Sequence, residues 1–288
     1  YAGEYLSQIA FPPGGIGAGM ICLEGSGALS HVSLRHRPEV NHEPLMFAAV
    51  HVAGTGARVL EGPVPQHKVF GLPDTGNGAG GKNWGLPRFR DATFAARFPF
   101  ADVKLKDAAL PVRAELTAWS PFVPGAADDS SLPVAGLEYR FRNRSASAVE
   151  AVFSFHARNF TQDPTLDRFP KEQRPACGVR RTAQGFVLYQ EGHAEQPWSQ
   201  GAFAAATDAP GVAVNCRWFR GGWFDAATIV WKSIVEMACP DTQPYAEGEP
   251  SQGGSLYVPV RLAPGEEQAV RLRLTWHVPE TNLQTGPG

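Results

Sequence analysis

The sequence predicts a mostly β protein: a large antiparallel two-layer β-sandwich, supersandwich-like, with about one α-helix. Three observations carry this. Apolar and polar residues alternate over short runs, most clearly from Val112 to Trp119. There Val112, Ala114, Leu116 and Ala118 face one way and Arg113, Glu115 and Thr117 the other. The 31 glycines and 25 prolines follow no period, as many turns between many short strands require. Asp225 to Ala238 is free of both residues and reads as the helix.

Taken in order, Met20 to Leu23 and Ala28 to Leu34 flank a Glu-Gly-Ser-Gly turn, a hairpin signal. Leu45 to Ala53 is a strand, and Thr93 to Phe100 and Asp102 to Lys106 precede the alternating run at Val112. In Val134 to Arg142, Ala135, Leu137, Tyr139 and Phe141 share one face. Asn143 to Ser147 turns the chain, and Val149, Ala151, Phe153 and Phe155 return it. These two runs are expected to pair antiparallel, with one face buried. Gly185 to Gln190, Gly201 to Ala206 and Gly211 to Trp218 keep the short-strand spacing. In the helix, Asp225 is the N-cap and Ala226, Ile229, Val230, Ile234 and Met237 form a stripe. Trp223, Phe224, Trp231 and Val235 add apolar surface on other sides, so the helix needs partners on more than one side. Ser255 to Leu262 and Gln268 to His277 form a closing hairpin. Residues 1–278 therefore read as one sandwich domain, and the polar tail 279–288 as a linker.

Between two strands lies Ala118 to Ala135, with prolines at 121, 124 and 133 and an Asp-Asp-Ser-Ser cluster. Its prolines fix φ and remove backbone donors, so the connection is stiff. Trp119, Phe122 and Val123 anchor it, and Asp128 and Asp129 are expected to hold its turn. Adjacent aspartates point to opposite sides of an extended segment, so they do not form an acid/base pair across one glycosidic bond.

Composition excludes several classes. A net charge of −2 gives no attraction for nucleic acid, and no apolar run approaches the ~20 residues of a spanning helix. The N-terminal six residues show no signal-peptide architecture, which leaves the compartment open. The four cysteines contain no C-x-x-C pair, and Cys22 and Cys216 fall in apolar runs, where buried free thiols are expected. The histidines at 31, 36, 42 and 51 lack a metal-binding spacing, so neither metal nor cofactor is expected. In Pro13 to Gly19 the third glycine of G-x-G-x-x-G falls on Met20 or Cys22. Gly76 to Lys82 matches the first half of a phosphate loop, but Asn83 stands where Ser or Thr must hold magnesium. Asn143 and Asn159 head N-x-[ST] sequons.

Four segments together resemble the N-terminal domain of glycoside hydrolase family 116, which includes β-glucosidases and non-lysosomal glucosylceramidase. They are the glycine entry Pro13 to Gly19, Trp84-Gly-Leu-Pro-Arg-Phe89, the Trp119 to Val134 connection, and Gly222-Trp-Phe-Asp225 with Trp231. The resemblance implies a non-catalytic sandwich packed on a C-terminal (α/α)6 catalytic domain that carries both carboxylates, with a β-glucoside or glucolipid as substrate. No catalytic residue carries over to this chain. Arg37, Glu39, Asn41, Trp84 and Trp119 are the candidates for edging the substrate cleft. The alternative is a free-standing carbohydrate-binding module that uses Trp84, Trp119, Trp198 or Trp223 as stacking platforms.

Overall fold

The computed structural model describes residues 1–66, 68, 82–222, 225–283 and 286. Within them, β1 (Ala10–Phe11), β2 (Met20–Glu24) and β3 (Leu29–Ser33) come first, then β4 (Met46–Val52) and β5 (Gly56–Val59). Next are β6 (Asp91–Arg97), β7 (Phe100–Lys106), β8 (Val112–Trp119), β9 (Val134–Asn143) and β10 (Val149–Arg158). The last are β11 (Cys177–Thr182), β12 (Gly185–Gln190), β13 (Gly201–Thr207), β14 (Ala213–Asn215), β15 (Gly253–Leu262) and β16 (Glu267–His277). Helix α1 spans Ala226–Val235.

An eight-stranded sheet runs β11-β12-β13-β16-β9-β8-β7-β6, and a five-stranded sheet runs β14-β15-β10-β4-β5. A small β1-β2-β3 sheet completes the set. The main core lies between the two large sheets. Phe153 on β10 meets Tyr139 and Phe141 on β9 with ring centroids 5.0 and 6.1 Å apart. Each such buried ring contributes about 1.5–3 kcal/mol. The observed architecture is therefore a mostly β antiparallel sandwich with, among the described residues, one helix of more than a few residues.

Two expected hairpins are corrected. β9 pairs β8 and β16, whereas β10 pairs β4 and β15, so residues 144–148 carry the chain from one sheet to the other. The same is true between β15 and β16. Alternation fixes which face of a strand meets the core, but in-plane and cross-layer returns satisfy it equally. Buried Asn143 ties the two corners together. Its Nδ2 donates to the carbonyls of Ser147, Leu262 and Ala263 at 2.8, 3.1 and 3.1 Å, and its Oδ1 accepts from Ser145 N at 2.8 Å. Buried Asn159 repeats the motif: its Oδ1 accepts from Thr161 N at 3.0 Å and its Nδ2 donates to the Gly178 and Tyr189 carbonyls. In both sequons the hydroxyl residue two positions on serves an Asx turn.

The five-stranded sheet is buried on both faces. Met46, Ala48 and Val50 of β4 enter the main core, and Phe47 and Ala49 meet a second cluster under α1. Asp225 Oδ1 accepts from Thr228 N at 2.9 Å, the expected N-cap. Ala226, Val230 and Ile234 face the sheet, Trp231 is half-buried and Val235 is exposed. Trp223, Phe224 and most of the Gly71 to Gly85 loop, including all of Gly76 to Lys82 except Lys82, lie outside the described residues. The four cysteines are free thiols, and burial pushes Cys22 and Cys216 up to about 11.

Candidate functional site

Two segments distant in sequence meet at one edge of the sandwich. Leaving β8, the chain places Ser120 beneath the glycine entry, where its Oγ accepts from Gly14 N at 3.2 Å and donates to Pro12 O at 3.3 Å. Ser120 N also donates to Pro99 O at 3.1 Å. Two residues on, Ile16 N donates to Ser130 O at 2.8 Å. Trp276 on β16 closes the turn from behind, its Nε1 donating to Ala18 O at 2.6 Å. Glycine is required here by two separate constraints. A Cβ on Gly15 would sit 2.3 Å from Leu132 O, and Gly19, at φ +88°, would put one 2.6 Å from Ser33 O.

The connection after Ser120 includes one helical turn, Ala127–Ser130. Ser130 holds it: its Oγ accepts from Val123 N at 3.0 Å and reaches the Ala126 carbonyl at 2.8 Å. The expected role of Asp128 and Asp129 in holding the turn is corrected, since both are exposed and Ser130 makes the bonds. Buried Ser130 is the only member of the acidic cluster positioned to reach those inward groups.

This packing leaves an apolar surface. Ile16 is 59 % exposed, Phe98 64 %, and Phe122, Val123 and Leu132 are also exposed. Phe98 and Phe122 meet edge-on at 4.9 Å. Beside them an open groove of about 650 Å³ is lined by Gly15, Ile16, Phe98, Ser120 and Pro121, with His36 and Arg37 at its polar end. His36 Nε2 lies 3.1 Å from Val278 O, so the end of β16 leaves the sandwich beside this groove.

The sequence-derived candidates divide among three places. Arg37, whose Nη2 pairs with Glu39 at 3.1 Å, lines the groove. Glu39 N donates to Ser33 Oγ, and Asn41 sits at φ +68° with its N donating to His31 Nδ1 at 2.8 Å. Trp119 is half-buried, packed over Gly136 of β9. Trp84 lies elsewhere, beside a cavity of about 20 Å³ with Glu43, Glu61, Lys68, Lys82 and Asn83. That space has room for about one water. Its carboxylates are paired: Lys68 Nζ meets Glu24 at 2.5 Å and Glu43 at 2.9 Å, and Glu61 meets Arg88 at 2.8 Å and Asn83 at 2.9 Å. Burial raises Glu61 above the ordinary carboxylate range despite Arg88. Among the described residues no three His, Cys, Asp or Glu side chains converge to hold a metal.

Phe98 and Trp276 belong to the face without having been singled out in the sequence. Phe98 falls between β6 and β7, where alternation stops assigning a side and the following proline is the visible signal of a turn; alternation along β16 does bury Trp276 but says nothing of its bond to Ala18.

A glycine-turn face on a two-layer antiparallel sandwich defines a β-sandwich module with a built apolar surface. The chain belongs to the family described as "beta-glucosidase 2, glycosyl-hydrolase family 116 N-term", whose model matches residues 10–287. No curated protein matches the sequence. Among solved structures, a proposed aldose 1-epimerase from Escherichia coli K12 is similar at TM-score 0.43 and 12 % identity, over 93 % of this chain and 99 % of that one. A proposed kojibiose phosphorylase from the human microbiome gives 0.44 and 6 %, over 98 % of this chain and 32 % of that one. A family GH92 α-mannosidase from Bacteroides thetaiotaomicron gives 0.36 and 11 %, over 96 % and 31 %. The chain thus spans about a third of the latter two proteins.

Proposed function

We propose that this chain is the non-catalytic sandwich of a retaining β-glucosidase- or glucosylceramidase-like hydrolase, and that its glycine-turn face docks on an (α/α)6 catalytic domain. The observation that carries the reading is the meeting of two family segments, the glycine entry and the Trp119 to Val134 connection, under one exposed apolar surface. An uncovered cluster of this kind beside a polar rim is what domain interfaces use. Val278 leaves the sandwich at the same edge, so residues 279–288 would act as a short linker to a domain seated there. Arg37 at the end of the groove would then edge the substrate cleft. Glu24, Glu43 and Glu61 are spent on cations, and Asp128 and Asp129 stand exposed on one helical turn. Retaining hydrolysis needs two carboxyls about 5 Å apart across an accessible bond. In an aryl β-glucoside assay the purified chain should show no turnover, while the chain joined to its following domain should hydrolyse the substrate. Turnover by the chain alone, abolished by a substitution within it, would refute the reading.

A further inference from the structure

A second, polar cavity adjoins the groove and shares His36 and Arg37 with it. It measures about 210 Å³ and is lined by Arg35, Asp163, Thr165, Gln196, Trp198 and the tail residues 278 and 280–283. We propose that it is a subsite for one neutral pyranose unit, bound between Trp198 and the unsatisfied polar atoms of Gln196 and Asp163.

Gln196 is only 6 % exposed, yet one end of its amide is unspent. The other end meets Thr165 Oγ1 at 3.2 Å, and among the described residues no partner faces the remaining polar atom. Whichever way the amide is turned, a donor or acceptor is left at the cavity without a protein partner among the described residues, free to pair with a ligand. Asp163 is half-buried and also keeps a free oxygen. Its Oδ1 accepts from Thr165 N at 2.9 Å and Thr165 Oγ1 at 2.7 Å, while Oδ2 has no partner among the described residues. Trp198 adds a half-buried aromatic surface.

Charge selects a neutral ligand. Arg35 is consumed as a structural clamp, its guanidinium donating to the carbonyls of Thr161, Trp198 and Gln200 at 2.5, 3.1 and 3.3 Å. Arg37 is paired with Glu39, and the two guanidiniums are opposed by the carboxylates of Asp163 and Glu280. Among the described residues lining the cavity, an anion would find both guanidiniums already bonded and two carboxylates facing it. A ring of hydroxyls, each both donor and acceptor with apolar C–H faces, matches an amide, a carboxylate and an indole. The choice of a β-glucoside rests on the proposed function, but the binding itself does not.

The test is titration of this chain with methyl β-glucopyranoside and cellobiose, following the tryptophan indole N–H resonances, with inorganic sulfate as the anionic probe. Millimolar, saturable shifts at Trp198 are expected, with nuclear Overhauser contacts from sugar ring protons to its indole. Asp163→Asn and Trp198→Ala should each weaken binding about tenfold. The Overhauser contacts in the unaltered protein keep the test valid if a variant misfolds. No shift at Trp198, shifts unchanged in both folded variants, or sulfate binding in place of sugar would overturn the proposal. Loss of sugar binding with intact docking would leave the proposed function standing.

Discussion

Ser120 Oγ accepts the Gly14 N–H at 3.2 Å across 106 residues of sequence. This bond joins the glycine entry to the end of β8, and Gly15 then lies so close to the Ser131–Leu132 backbone that no side chain fits between. The shape of the apolar face depends on that approach.

Gly15→Ala is therefore expected to destabilise the chain by about 1–3 kcal/mol, the range for forcing extra volume into a close-packed contact. Its neighbours at 2.3 to 2.7 Å are backbone atoms that cannot rotate away. Urea unfolding against the parent chain checks this; unchanged stability would show that the turn relaxes freely. Gly17, with nothing within 4 Å of a built Cβ but φ +73°, should show only backbone strain on conversion to alanine.

Asn143→Ala should cost about 2–4 kcal/mol. Three carbonyls at two inter-sheet corners lose their donor, and the buried ones regain no water. Asn143→Asp keeps the acceptor for Ser145 N but turns a carboxylate toward those carbonyls. Its stability should fall as pH rises through the carboxyl's titration. Denaturation at several pH values measures both effects.

His156 is fully buried on β10, its ring nitrogens each 2.8 Å from a serine hydroxyl, Ser255 and Ser154. Ser255 Oγ also accepts from Trp218 Nε1 at 2.8 Å. Burial lowers His156 from 6.5 to about 3. The unfolded chain thus binds the proton more readily than the folded one between those values. The stabilisation is complete above pH 6.5 and is lost as pH falls toward 3, by up to about 5 kcal/mol. His156→Gln should flatten that part of the pH–stability curve. An unchanged slope would assign acid sensitivity to other groups.

Strand positions were largely legible because period two is written in runs such as Val112 to Trp119, whose alternate residues are all buried as expected. The partner of each strand was not. β10 carries Val152, Ser154 and His156 on the face away from the main core, and these are buried beneath the α1 layer. Small and polar side chains at such positions look like a solvent face in sequence. The candidate site was legible only in part. The glycine entry and the Ala118 to Ala135 connection announce themselves by composition, but their meeting depends on β16, β9 and β8 lying side by side. Ser120 and Trp276 carry no local signal of the contacts they make. Arg37 was found by the polar density of its turn, whereas Trp84 shares that polarity but belongs to a separate buried charge cluster.

Association of this chain with its separately produced following domain tests the central claim most directly. Isothermal titration should show that Ile16→Asp with Phe98→Asp weakens association at least about 100-fold, or about 2.7 kcal/mol. Val235→Asp, at an exposed position of α1 over the other layer, should leave it unchanged. Full affinity in the Ile16/Phe98 variant, or loss of affinity only with Val235→Asp, would contradict docking through the glycine-turn face.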